Sequence, residues 1–113
     1  MGTDSGDALI TLRNSLRDFA NERDWDQFHS PKNLAMALAV EAAELLEHYQ
    51  WQEAAENPAK VREEVADVLL YLIRLADRLD IDLAAAARDK IALNAQKYPV
   101  EKARGSARKY TEL

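Results

Sequence analysis

Apolar residues recur at helical spacing through most of this chain, and nowhere do they alternate with polar ones as a half-buried strand requires. The pattern predicts four helices, over roughly 7–23, 31–51, 58–79 and 83–97. Capping chemistry marks their starts. Ser30-Pro31 and Asn57-Pro58 each place a side-chain acceptor before a proline at the first helical position. Asp82 stands before an alanine-rich run that favours helix intrinsically. In the third segment Val61, Val65, Val68, Leu72, Leu75 and Leu79 recur at four-then-three spacing, the stripe of a helix packed in a bundle. Ala66, Leu69, Leu70 and Ile73 widen that stripe beyond what a small lone bundle covers, so an oligomer is expected. The expected fold is all-α with a four-helix bundle core. Residues 1–6 are expected to be disordered, 7–98 to form the helical domain, and 99–113 to run as an extended basic arm.

Composition narrows the function more than the fold. The chain has 113 residues, 48% of them apolar, enough for one domain and too few for two. Its 15 basic residues against 20 acidic ones leave a net charge of −5, which argues against a nucleic-acid partner. No cysteine is present, so thiolate metal sites and cysteine nucleophiles are excluded, and His29 and His48 are too few for a histidine zinc site. No apolar run reaches the ~20 residues of a membrane span, and the first residues do not read as a signal peptide, so a cytoplasmic protein is expected. The glycines are Gly2, Gly6 and Gly105. Nothing between Asp7 and Arg104 can therefore form a glycine-rich phosphate cradle, and P-loop and Rossmann readings fall away. Phosphates, if bound, must be held by metal ions and side chains.

The segment from Leu34 to Leu46 is apolar except for Glu41 and Glu44, three positions apart and so on one side of a helix. Unpaired carboxylates cost several kcal/mol each to remove from water, so something must neutralise them. A salt bridge to a distant basic residue is one answer. The next helix offers another, because Glu64 and Asp67 repeat the same spacing. Taken alone, that second pair reads as a solvated edge with intrahelical ion pairs, since Glu63, Arg74 and Arg78 lie near it on the wheel. Taken together, two antiparallel helices could turn both pairs toward each other. Four oxygen ligands select a hard cation, Mg2+ with Mn2+ as a possible substitute, and neither pair carries the histidine of a di-iron bundle. Such an ion usually completes its shell with waters and substrate phosphates, which points to a nucleotide or similar polyphosphate.

The arrangement Glu-x-x-Glu, a linker, then Glu-x-x-Asp resembles the all-α nucleoside triphosphate pyrophosphatases of the MazG-like group, and within it the dCTP pyrophosphatase branch. The stretches that carry the resemblance are 19–29, 31–34, Gln50-Trp51, 63–72, 97–100 and 104–110. It implies Mg2+-dependent hydrolysis of a nucleoside triphosphate to the monophosphate and pyrophosphate, by water attacking the α-phosphorus while a carboxylate takes its proton. By position, Glu41, Glu44, Glu64 and Asp67 would be the metal ligands and catalytic acids. Trp25, Trp51 and Tyr71 match the aromatic walls of a pyrimidine pocket, Asn94 a position that hydrogen-bonds near the base or sugar, and Lys90 and Tyr98 neighbouring positions. Where some relatives carry a base-contacting histidine in the first helix, this chain has Leu16. The resemblance further implies a homo-oligomer, a tetramer built as a dimer of dimers with each active site near a subunit boundary. The basic tail reads as a solvated arm or, more sharply, as one whose Arg108 or Lys109 contacts phosphates, including those on a neighbouring subunit.

Each residue also has a plainer reading. Trp25 lies in a polar loop where a core tryptophan is unusual, whereas Trp51 at a helix end fits a packing cap. Tyr71 could face the site or only the partner helix. His29 reads as a loop or capping histidine, and His48 is set aside because Mg2+ prefers oxygen. Two rival functions stand beside the dCTP reading: a pyrophosphatase for a different or modified nucleotide, and a helical interaction module whose acids form structural salt bridges.

Overall fold

The computed structural model of the chain describes residues 5–113. Among them the regular elements are helices: α1 (Ser5–Glu22), α2 (Pro31–Glu47), α3 (Pro58–Arg78), α4 (Leu83–Lys97) and a short α5 (Val100–Ala103). Two 3-10 turns, Asp26–Phe28 and Tyr110–Glu112, complete the set. The caps read from sequence are in place. Ser30 Oγ accepts from the Asn33 N–H at 3.1 Å, Asn57 Oδ1 from Lys60 at 3.2 Å, and Asp82 Oδ1 from Ala85 at 3.0 Å.

The principal packing is α2 against α3, with α1 laid on α3 and α4. That the first pair is antiparallel follows from its ends. His48, just after α2, meets Glu64 near the start of α3, while His29, just before α2, meets Arg74 near the end of α3. Two aspartates in the left-handed region turn the chain between helices, Asp24 at φ 54° and Asp80 at φ 56°. After Asp24 the Trp25 N–H reaches back to the Ala20 carbonyl at 2.9 Å, and after Asp80 the Ile81 N–H reaches Ala76 at 2.8 Å. This helix-terminating bond satisfies an orphan carbonyl and fixes where Trp25 leaves α1.

Three sequence expectations need adjusting. α2 stops at Glu47 rather than 51, because beyond it Tyr49 and Trp51 find nothing in the chain to bury against and remain exposed. The arm after Pro99 is not extended throughout. It holds α5 and a helical turn, and Tyr110 folds back so that its ring meets Tyr98 edge-on at 6.1 Å and Lys97 Nζ sits 5.1 Å from its centre. Of the six leading residues expected to be disordered, 1–4 lie outside the described residues, and Ser5 and Gly6 already belong to α1.

The core is thin. Ala20, Leu34, Ile73, Ala76 and Ala84 are the buried apolar residues described, and Leu34, 1% exposed, is the largest of them. The radius of gyration is 17.3 Å, against about 13 Å for a compact globule of this length. The chain exposes 8738 Å², against roughly 6,300 Å² for a compact monomer of this size. Much of the excess is apolar: Val65, Leu69 and Leu72 of α3, Met36 and Val40 of α2, and Ile91 and Leu93 of α4 are exposed. The wide stripe on α3 thus stays uncovered within one chain.

Candidate active site

The acids converge where α2 and α3 face each other. Glu41, Glu44, Glu47 and His48 from one side and Lys60, Glu63, Glu64 and Asp67 from the other line an open pocket of about 620 Å³. Their three- and four-residue spacings put each set on a single helical face. Glu64 is buried, Glu41 half-buried, and Glu44 and Asp67 exposed. The solvated-edge reading of the second pair therefore fails for Glu64. His48 Nε2 lies 2.7 Å from Glu64 Oε2 but out of line for a hydrogen bond.

Two carboxylate oxygens, Glu41 Oε2 and Glu64 Oε2, are buried without a hydrogen-bond partner. Burial raises the Glu41 pKa above its usual range, aided by the Glu44 charge, a hydrogen bond with Glu44, and the charges of Asp67 and Glu64. Such a cluster has acceptors to spare and too little positive charge. Among the described residues no three Asp, Glu or His side chains converge tightly enough to enclose an ion as they stand. The carboxylates ring the pocket rather than a point.

A second cavity, about 390 Å³, opens beside the first. α1 contributes Leu12, Ser15, Leu16 and Phe19 to its wall, the loop after it Trp25 and His29, and α3 Asp67, Tyr71 and Arg74. Phe19 and Trp25 meet edge-to-face at 5.6 Å, and Trp25 and His29 at 6.2 Å. The two cavities share one residue, Asp67. An apolar, aromatic slot thus adjoins an acidic basin, the layout suited to a ligand with a flat ring at one end and anionic groups at the other.

A polar network braces the far side of the slot. Arg74, 5% exposed, donates from Nε to His29 Nδ1 at 3.1 Å and from a terminal nitrogen to Asp77 at 3.3 Å, and it also pairs with Asp26. Arg17 on α1 grips Asp77 from the other side, its Nε donating at 2.8 Å. That hydrogen bond outweighs burial and, with the charges of Arg17, Arg74 and Arg13, holds the Asp77 carboxyl below its ordinary pKa. Burial, then the Arg74 charge, push the His29 pKa down.

Of the residues singled out by sequence, Glu41, Glu44, Glu64 and Asp67 meet at the acidic basin, and Trp25 and Tyr71 line the slot next to it. The others lie outside both cavities. Trp51 is 89% exposed in the α2–α3 connection, and Lys90, Asn94 and Tyr98 lie exposed on or just past α4. Arg108 lines a separate cleft along the tail, and Lys109 caps the turn that follows. Sequence reasoning missed Phe19, Leu12, His29 and Arg74 in the slot and His48 in the basin. Leu12, Leu16 and Phe19 had a readable signal, an apolar stripe at helical spacing. Arg74 had none, since its partners His29 and Asp26 are 45 and 48 positions away.

A family model described as the MazG-like family matches residues 36–113. The chain is 46% identical to dCTP pyrophosphatase 1 of Rattus norvegicus and 44% identical to that of Homo sapiens, each match spanning 93% of this chain and 67% of the relative. It also superposes on the crystal structure of a pyrophosphatase from Archaeoglobus fulgidus, with a TM-score of 0.75 and 36% identity, over 88% of this chain and 96% of that one.

Proposed function

The chain belongs to the MazG-like family, and from that premise we propose that it is a nucleoside triphosphate pyrophosphatase. Its substrates are dCTP and related pyrimidine deoxynucleoside triphosphates, which it splits to the monophosphate and pyrophosphate, cleansing the cytoplasmic nucleotide pool. The observation that carries this reading is the junction at Asp67, where the aromatic slot meets the acidic basin. Its relatives' activity supports it.

The basin's residues fit Mg2+ or Mn2+, since two buried carboxylate oxygens lack a hydrogen-bond partner and the four acids offer only oxygen. Glu41, Glu44, Glu64 and Asp67 would hold the ion, which would supply charge neutralisation of the triphosphate and Lewis-acid activation at the α-phosphorus. Trp25, Phe19 and Tyr71 flank the base and keep water from it. A basin carboxylate takes the proton of the attacking water. Attack at the α-phosphorus makes pyrophosphate the leaving group.

The protein works as a homo-oligomer, a dimer of dimers. A chain exposing about 2,400 Å² beyond a compact monomer has the surface of an obligate interface to bury. Trp51, Lys90, Asn94, Tyr98, Arg108 and Lys109 then reach a substrate only across a subunit boundary. The direct test is a product assay over all the nucleoside triphosphates with Mg2+. Pyrophosphate and dCMP from dCTP are expected. Release of inorganic phosphate first, or equal rates on purine and pyrimidine triphosphates, would refute the assignment.

A further inference from the structure

Glu64 is 7% exposed, and its Oε2 has no hydrogen-bond partner although His48 Nε2 lies only 2.7 Å away. A buried ion pair of that length normally turns its N–H onto the carboxylate, because the aligned, charge-assisted bond is what offsets the loss of water. Here the ring nitrogen stands beside the oxygen and out of line with it. Two donor atoms that share one cation stand in this way. Each about 2.1 Å from the ion and near right angles, they come to roughly 3 Å of each other, with both lone pairs turned to a third point. The basin's lysine does not replace that cation for Glu64, since Lys60 Nζ pairs with Glu63 at 3.8 Å. The His48 backbone is fixed at the end of α2, its N–H bonded to the Leu45 carbonyl at 3.3 Å. Its half-buried ring follows Glu41 and Glu44 by seven and four positions, on their face of the helix.

We infer that His48 is a nitrogen ligand of the basin's cation, joining Glu64 on it, and that the basin takes a first-row transition ion in preference to Mg2+. Imidazole suits such borderline ions, whereas Mg2+ keeps to oxygen. The oxygen preference of Mg2+ thus weighs against His48 only where Mg2+ is the ion bound. This inference rests on the proposed function only in taking the basin as the cation site, and it adds the nitrogen that the four acids lack.

The test needs no nucleotide and no turnover. The parent protein is loaded with Mn2+ and its electron spin-echo modulation recorded, where a directly bound nitrogen is expected to show. His48→Gln should lose that signal. His29→Gln removes the chain's other histidine and should keep it, which assigns the nitrogen to His48 whether or not the first variant folds. Calorimetric titrations then read the selectivity. His48→Gln should weaken Co2+ binding by at least about 10-fold, since losing even an outer partner of a ligand costs about 10- to 100-fold. Mg2+ binding should stay within about 3-fold, because that ion fills its shell with oxygen. No nitrogen modulation in the parent, modulation that survives in His48→Gln, or equal weakening of Co2+ and Mg2+ overturns the inference. A nitrogen-bound cation in a protein that releases no pyrophosphate supports this inference and refutes the functional reading alone. Hydrolysis of dCTP without nitrogen modulation refutes this inference alone.

Discussion

Asp77→Asn probes the brace between α1 and α3 that keeps the slot walls together. The Asp77 side chain is 8% exposed and accepts from Arg74 and Arg17, which approach it from opposite sides. Asparagine keeps the shape and one acceptor but removes the charge. Arg17 is half-exposed and water replaces its lost partner. Arg74 is buried and has no such substitute, so one of its three protein contacts is left weak. An under-satisfied buried donor costs about 1–3 kcal/mol. With a melting entropy of roughly 0.24 kcal/mol/K for a chain this long, the variant should melt about 4–13 °C lower at pH 7. Protein concentration must be matched, because the melting point of the proposed oligomer would depend on it.

The pH dependence has a definite sign. A carboxyl held below its ordinary value of 3.8 contributes stability above that pH and loses it as pH falls through the lower folded-state value. The gap between parent and variant should therefore be full at pH 7 and 5 and narrow by pH 3. Urea titrations at those three values measure it. A gap under ~0.5 kcal/mol at pH 7, within the range of ordinary surface changes, or one that stays constant down to pH 3, would show that the brace is not electrostatic.

Three further outcomes follow from the same geometry. Glu41→Gln should abolish turnover yet raise the melting temperature measured without divalent metal, because it removes one charge from a cluster of acids; full turnover would remove Glu41 from the machinery. Asp80→Gly relieves a left-handed backbone position at φ 56° and should stabilise by about 1 kcal/mol, and an unchanged melt would mean the turn carries no strain. Val65→Asp puts a charge on the exposed apolar face of α3 and should split the oligomer in light scattering, lowering activity with it. An active tetramer carrying that change would place the interface elsewhere.

The parts of this molecule that sequence disclosed are local ones. Caps act over three residues, so Ser30, Asn57 and Asp82 could be read directly. Glu41 and Glu44 stood out because two charges in an apolar run are anomalous whatever surrounds them. Arg74 was misread for the complementary reason. On the helical wheel it sits near Glu64 and Asp67, whereas in the fold it reaches away to His29 and Asp26, partners only tertiary packing supplies. The end of α2 was overrun because Leu46, Tyr49 and Trp51 continue an apolar pattern that has no partner surface within the chain. Periodicity reports which residues prefer to be buried, not whether something is there to bury them.

The slot and the basin draw their walls from different parts of the chain. α2 and α3 carry the acids, while α1 and the loop after it supply most of the groups a base would meet, and Asp67 is the one side chain common to both. Inheritance can act on the two halves almost separately. Substitutions at Leu12, Ser15, Leu16 or Phe19 reshape the slot wall without touching a carboxylate, so under the proposed function a lineage can trade one nucleotide for another while its chemistry stays intact. Asp67 has no such freedom, because any change there is tested twice.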